Sequence, residues 1–170
     1  RILAERQEDH LMHSRVTQWD RIFPLGDPPD YEPAADKSIA ARAAREGRTP
    51  EDMGYDMLLE GGGKTILYRP LSNYAYGNLD TVADMMQHPN SLIGLGDGGA
   101  HVGVLTDASA ITYMLTHWTR DRDRGAKLSL PWAIKRLTRD NAAAIGLNDR
   151  GLLAVGKKAD INVIDYDNLK

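Results

Sequence analysis

SLIGLGDGGAHVG, Ser91 to Gly103, is the stretch on which the reading of this chain turns. Its first half is short and apolar like a buried strand, and it delivers a carboxylate, Asp97, to a turn at Gly98 and Gly99. Glycine lets the backbone turn sharply there. Three meanings are open for such a loop. The spacing Gly94-x-Gly96-x-x-Gly99 satisfies a dinucleotide-binding pattern, but that pattern needs its third glycine to open a helix directly. Here AHVGVLTDA delays any helix to about Asp107, and an acid stands where a pyrophosphate would approach. Asp97 could instead cap a turn through nearby amides. The third meaning is a strand-end general acid/base or metal-bound carboxylate with His101 close by.

Working outward, the segments before the loop alternate in type. Val16 to Leu25 roughly alternates apolar and polar as far as Ile22, which predicts a half-buried strand stopped by Pro24 and Gly26. GDPPDYEP, Gly26 to Pro33, is a proline-rich loop. Ser38 is the expected N-cap of SIAARAARE, closed by Gly47. Thr49, Pro50 and Asp52 signal a second helix running to about Glu60, ended by Gly61 to Gly63. Thr65 to Leu71 reads as a strand spoiled by Pro70. Asn78 caps a helix in LDTVADMMQH, with Leu79, Val82 and Met86 on one face, broken by Pro89.

Beyond the loop, Asp107 to Arg120 places Ile111, Met114, Leu115 and Trp118 at helical spacing and leaves through the charged run RDRDRG. A further helix is expected from about Pro131 to Ile145, capped by Ser129 and stopped by Gly146. Leu152 to Val155 and Asp160 to Ile164 then read as a hairpin. Strands separated by helices imply βαβ units and a parallel sheet. The fold class is α/β, and a strand-end acid fits the barrel rule that catalytic groups sit at C-terminal strand ends.

Composition narrows the partners. The chain has 170 residues, 42% hydrophobic and 26% charged, with a formal net charge of -3. Acids and bases are interleaved, which gives no general attraction for nucleic acid or an acidic membrane surface and favours a small molecule. No apolar run approaches the roughly 20 residues that span a bilayer, and RILAERQEDH has no secretory pattern. There is no cysteine, so neither disulfide nor cysteine-bound zinc exists in these residues, which fits a cytoplasmic setting. An oligomer is compatible with the composition.

Two patterns together carry a family resemblance. GLGDGGAH resembles the last barrel strand of the amidohydrolase superfamily, where a strand-end aspartate sits beside the metal. TRDNAAAIGLNDRGLLAVGKKADINVIDYD, Thr138 to Asp167, resembles that superfamily's passage from its last helix into a small β-sandwich, through Asn141, Gly146, Leu147, Arg150, Gly151, Gly156, Ala159, Asp160, Val163 and Asp165. Ala142 stands where the pattern usually has proline. YEP, YDMLLEGGG, NYAYGNLD, GDGGAHVG and THWTRDR are most similar to the N-acyl-D-amino-acid deacylase (D-aminoacylase) group.

The resemblance implies the C-terminal part of a (β/α)8 barrel of the TIM type over residues 1–147, and the start of a β-sandwich over 148–170. It implies a hydrolase in which a divalent metal, generally zinc as one or two ions, activates water to cleave the amide of an N-acyl-D-amino acid or related amide. Asp97 would be the general acid/base and would also touch the metal, while His101, Tyr74 and Tyr76 would contact substrate or, equally, order the barrel mouth. The superfamily's H-x-H pair has no counterpart among His10, His13, His88, His101 and His117, and no cysteine is present, so the remaining ligands are expected upstream and this segment alone is expected to be inactive. His10 and His13 read as a solvated helical pair, His88 as a helix-end group and His117 as packing. Two other functions compete: a non-catalytic scaffold that keeps the fold for binding, and a hydantoinase-like cyclic amidase.

Overall fold

Ser38 opens the first helix as its sequence predicts: its Oγ accepts the Ala41 N–H, and helix α1 (Ile39–Glu46) closes on Gly47 in the left-handed conformation. The computed structural model describes residues 16–94 and 109–170, and the chain packs as two units, Arg1–Thr81 and Val82–Lys170. Helix α2 (Pro50–Gly63) begins with Thr49 Oγ1 accepting the Asp52 N–H and with Pro50 at its first turn. Its regular geometry stops at Glu60, where Gly61 and Gly62 turn left-handed.

The core of the first unit is Ile22, Ile39, Ala43, Met53 and Met57, with Trp19 and Leu67 packed against it. Each large apolar side chain so buried contributes about 1.5 to 3 kcal/mol. The accompanying sheet is only β1 (Phe23–Pro24) against β2 (Leu67–Tyr68), antiparallel, with Phe23 opposite Tyr68. One ladder hydrogen bond contributes about 1 kcal/mol net. Helix packing, not the sheet, therefore holds this unit together.

The strand expected over 16–25 is shortened for a visible reason. Trp19–Arg21 form a 3-10 turn, and Trp19 and Ile22, three residues apart, both face the core. That is the period of a tight turn rather than a strand. The indole packs over Gly54, where an added Cβ would lie 2.8 Å from Trp19 Cζ3, and its Nε1 donates to Glu51 Oε1 at 2.9 Å. The second strand is cut to Leu67–Tyr68 before Pro70, as its sequence suggests.

Helix α3 (Asp80–Gln87) starts after Asn78, whose Oδ1 accepts the Asp80 N–H. Ser91 to Gly94 follow without regular pairing. Helix α4 (Ala110–Thr116) buries Met114 and Leu115 and continues through a π turn, His117–Asp121, that buries Trp118. The charged exit is not simply solvated: the Arg122 guanidinium is buried 4.8 Å over the Trp118 ring and donates to Ala126 O. Helix α5 (Leu130–Lys135), capped by Ser129 Oγ on the Trp132 N–H, packs against α4. It passes through a second π turn, Arg136–Asp140, into α6 (Asn141–Ala144), which ends before Gly146.

Two expectations about strand pairing change among the described residues. The sheet there is antiparallel and two-stranded, in place of the parallel sheet expected from strand and helix alternation, and a barrel is not shown among these residues. The closing hairpin is also absent: 152–155 and 160–164 carry no ladder, and Val155 and Val163 are fully exposed. An extended segment becomes a strand only when another edge supplies its hydrogen bonds. No described helix is long and apolar enough to cross a membrane.

Gly54→Ala should lower unfolding stability by about 1 to 3 kcal/mol through displacement of the Trp19 ring. Ser38→Ala should lower it by about 1 kcal/mol through loss of the cap. Urea denaturation measures both, and an unchanged midpoint for Gly54→Ala would contradict the close approach.

Candidate active site

The segment that leads toward Asp97 is held by side chains. The Arg136 guanidinium reaches three backbone carbonyls through Nη2: Met86 at 3.2 Å, His88 at 3.4 Å and Ser91. The first two lie at the C-terminal end of α3, where carbonyls lack helical partners and a cation is favoured; His88 O also accepts the Ser91 N–H at 3.1 Å. Asn141 Nδ2 donates to Ile93 O at 2.7 Å. Arg136 lies 5.7 Å over the Trp132 ring and pairs through Nη1 with Asp140 at 3.4 Å, a contact largely withdrawn from water. Lys135 also bonds Asp140 at 2.8 Å, and that hydrogen bond is the main cause holding the Asp140 carboxyl below the usual carboxylate range.

Asp97 and His101 lie outside the described residues, as do His10 and His13. His88 Nδ1 accepts the Asn90 N–H at 3.2 Å and so shapes the turn after α3. His117 stacks on Tyr113 with ring centroids 4.4 Å apart and meets Trp118 edge-on, a packing position.

In the first unit, two loops noted in the sequence are locked together. Tyr74 is buried and its hydroxyl donates to Pro33 O, while Tyr74 O accepts from Arg21 at 3.0 Å. Buried Glu32 accepts the Leu79 N–H through Oε1 at 2.8 Å, and Tyr31 meets Tyr68 edge-on at 5.6 Å. YEP and NYAYGNLD thus form one fastened pair. Tyr74 spends its proton on that fastening, which leaves its hydroxyl no donor for a substrate carboxylate. Tyr76, 79% exposed, projects its ring into solvent.

The segment after α6 owes its course to a close approach at Gly151. An added Cβ there would lie 3.0 Å from Ala142 Cβ, Arg139 Cα and Thr138 O, and the residue has φ of 79°. Only glycine brings the backbone onto the helix end in this way. Asp149 then gathers Arg150 at 3.1 Å and Lys158 at 3.1 Å, and Arg150 reaches Asp160 at 3.7 Å. These residues coincide with the motif positions around Arg150 and Asp160.

The amidohydrolase family matches residues 28–170. The chain belongs to the amidohydrolase family. Comparison with curated proteins and with solved structures gives no match. As an amidohydrolase this chain carries a hydrolase domain of a family that ordinarily binds a divalent metal. Among the described residues no three His, Asp or Glu side chains gather into a metal-holding group.

Arg136 is the residue of this amidohydrolase that its sequence did not single out. A lone arginine inside a helix reads as a solvated face, and only its contacts 45 to 50 residues away give it a role. Asn141 stood out as a motif position, without a partner.

The Asp149 carboxyl is lowered from 3.8 to about 2, chiefly by its hydrogen bonds to Arg150 and Lys158. Because the folded value lies below the unfolded one, the stabilisation is present above pH about 4 and is lost as pH falls through about 2. Titration of Asp149 by NMR should show a midpoint near 2, moving upward in Lys158→Ala. Tyr74→Phe should cost about 1 to 2 kcal/mol by leaving the Pro33 carbonyl without its partner, measured by urea denaturation.

Proposed function

We propose that this amidohydrolase cleaves the amide of N-acyl-D-amino acids, with Asp97 as the general acid/base. The observation that carries the reading is the sequence GLGDGGAH, an acid set among glycines as in the family's last barrel strand, within a chain whose residues 28–170 match the amidohydrolase family. The substrate class is supported by the YEP, NYAYGNLD and THWTRDR motifs. Fastening of the first two to each other is consistent with a function they share.

Asp97 takes a proton from water as its oxygen attacks the acyl carbon, and returns that proton to the departing amine nitrogen. One carboxylate serves both transfers, and a general acid/base of this kind contributes about 10²- to 10⁴-fold. Zinc or another divalent cation, one or two ions, would supply a lowered water pKa and a polarised carbonyl when bound. His101 is assigned to the substrate or to Asp97, and Tyr76 to the acyl or carboxylate end of the substrate. Tyr74 fastens the loop on which Tyr76 sits. In this reading the chain supplies the closing part of a (β/α)8 barrel and the beginning of a β-sandwich, in a cytoplasmic enzyme of small amides.

In the intact protein, Asp97→Asn should keep the circular dichroism spectrum and lower kcat at least 10²-fold, assayed against paired N-acyl-D- and N-acyl-L-amino acids and a cyclic amide. Near-normal turnover by Asp97→Asn would overturn the acid/base assignment. Hydrolysis of the cyclic amide alone would overturn the substrate class. Tyr76→Ala should raise KM for the preferred substrate and leave thermal stability unchanged.

A further inference from the structure

We propose that Arg136 and Asn141 are positioning residues that set the register of the backbone carrying Asp97, an inference that rests on the acid/base reading of Asp97. Ser91 to Gly94 carries no regular structure and, among the described residues, has no neighbouring strand. Two of its carbonyls are instead taken by side chains of one helical run: Ser91 O by Arg136 and Ile93 O by Asn141. Two side-chain donors thus hold a backbone that no ladder fixes.

The helix is built to supply both donors from one side. Residues five apart on a regular helix are separated by about 140° and cannot face one short segment together. Arg136 and Asn141 are five apart, and the intervening Arg136–Asp140 is a π turn, whose i to i+5 closure brings such residues into line. Backbone angles remain right-handed at both ends, with Lys135 at φ -56° and Asn141 at φ -65°. The run is thus one helix with a widened turn.

The arrangement is costly enough to need a purpose. Arg136 Nε and Asn141 Oδ1 are buried with no hydrogen-bond partner among the described residues, and such atoms ordinarily find one. Asp140 balances the guanidinium charge, and the same Nη2 that holds Ser91 also holds the end of α3. Three points, the α3 terminus, Ser91 and Ile93, are therefore held by one helical run, the last of them four residues before Asp97 in the chain. A general base must hold its reacting atoms within hydrogen-bond reach. Misplacement by about 1 Å costs as much as 10²-fold.

The test uses the intact enzyme with Asn141→Asp, which keeps size and replaces the donor by an acceptor, and Arg136→Lys, which keeps the charge and removes the planar fork. Asp97→Asn serves as the control for the underlying reading. The Ile93 backbone carbonyl-carbon resonance should shift in Asn141→Asp as that carbonyl loses its donor, with the carbonyl resonances of 39–46 unchanged. Turnover per folded molecule should fall about 10- to 100-fold, with KM within about twofold because substrate contacts are untouched. Arg136→Lys should move the same way by a smaller amount. Unchanged Ser91 and Ile93 carbonyl resonances in both variants overturn the inference. So do shifted resonances with full kcat per folded molecule while Asp97→Asn is inert, since the anchor would then be structural only. An active Asp97→Asn removes the acid/base reading itself and the inference with it.

Discussion

A single guanidinium has the widest reach in the second unit. Arg136 donates to carbonyls at the end of α3 and to Ser91, and its charge is met by Asp140 and its face by Trp132. A planar fork with several fixed donors suits this better than a flexible ammonium. Its burial is tolerable because the ion partner and the carbonyls compensate lost hydration, whereas an isolated buried charge would be strongly unfavourable. The turn between α3 and the approach to Asp97 is consequently defined by a side chain from far along the chain, and not by local turn chemistry alone.

The first unit solves a comparable problem with different groups. The proline-rich loop around Tyr31 to Pro33 cannot form regular hydrogen bonds through its prolines, so it is tied down by Tyr74 on Pro33 O and by Glu32 on the Leu79 N–H. Both ties cross more than forty residues. They make two irregular loops behave as one fixed surface from which Tyr76 projects, while Trp19 over Gly54 joins the entrance of the unit to α2. Irregular backbone held on packed helices is the usual setting for binding residues. The geometry is therefore in keeping with the proposed substrate contact.

Membership of the amidohydrolase family gives these parts a common context. Within it, the segment from Thr138 onward serves as more than a recognition pattern. Asn141 holds Ile93, Gly146 ends the helix, Gly151 lets the chain pass within van der Waals distance of that helix, and Arg150 binds Asp149 and Asp160. The departure at Ala142 has a local consequence: this alanine is buried, and its Cβ lies where the Gly151 backbone approaches. Its backbone also keeps the N–H that a proline would lack.

The sequence by itself determined what depends on neighbours a few residues away. Ser38, Thr49, Asn78 and Ser129 cap the helices they were expected to cap, and Gly47 and Gly146 end theirs, because a cap is a contact between residues two to four apart. The family pattern was likewise legible as linear order. Tertiary structure decided the rest. Trp19 turned an expected strand into a 3-10 turn by seeking Gly54, and the runs near Val155 and Val163 that were expected as strands found no edge to pair with. Tyr74 became a fastener rather than a free hydroxyl, and Arg136 and Asn141 acquired partners 45 to 50 residues distant by way of a π turn. Hydrogen bonds and packing between distant segments leave no periodic trace in a sequence, since either partner alone is compatible with many surroundings and only their meeting in space selects one.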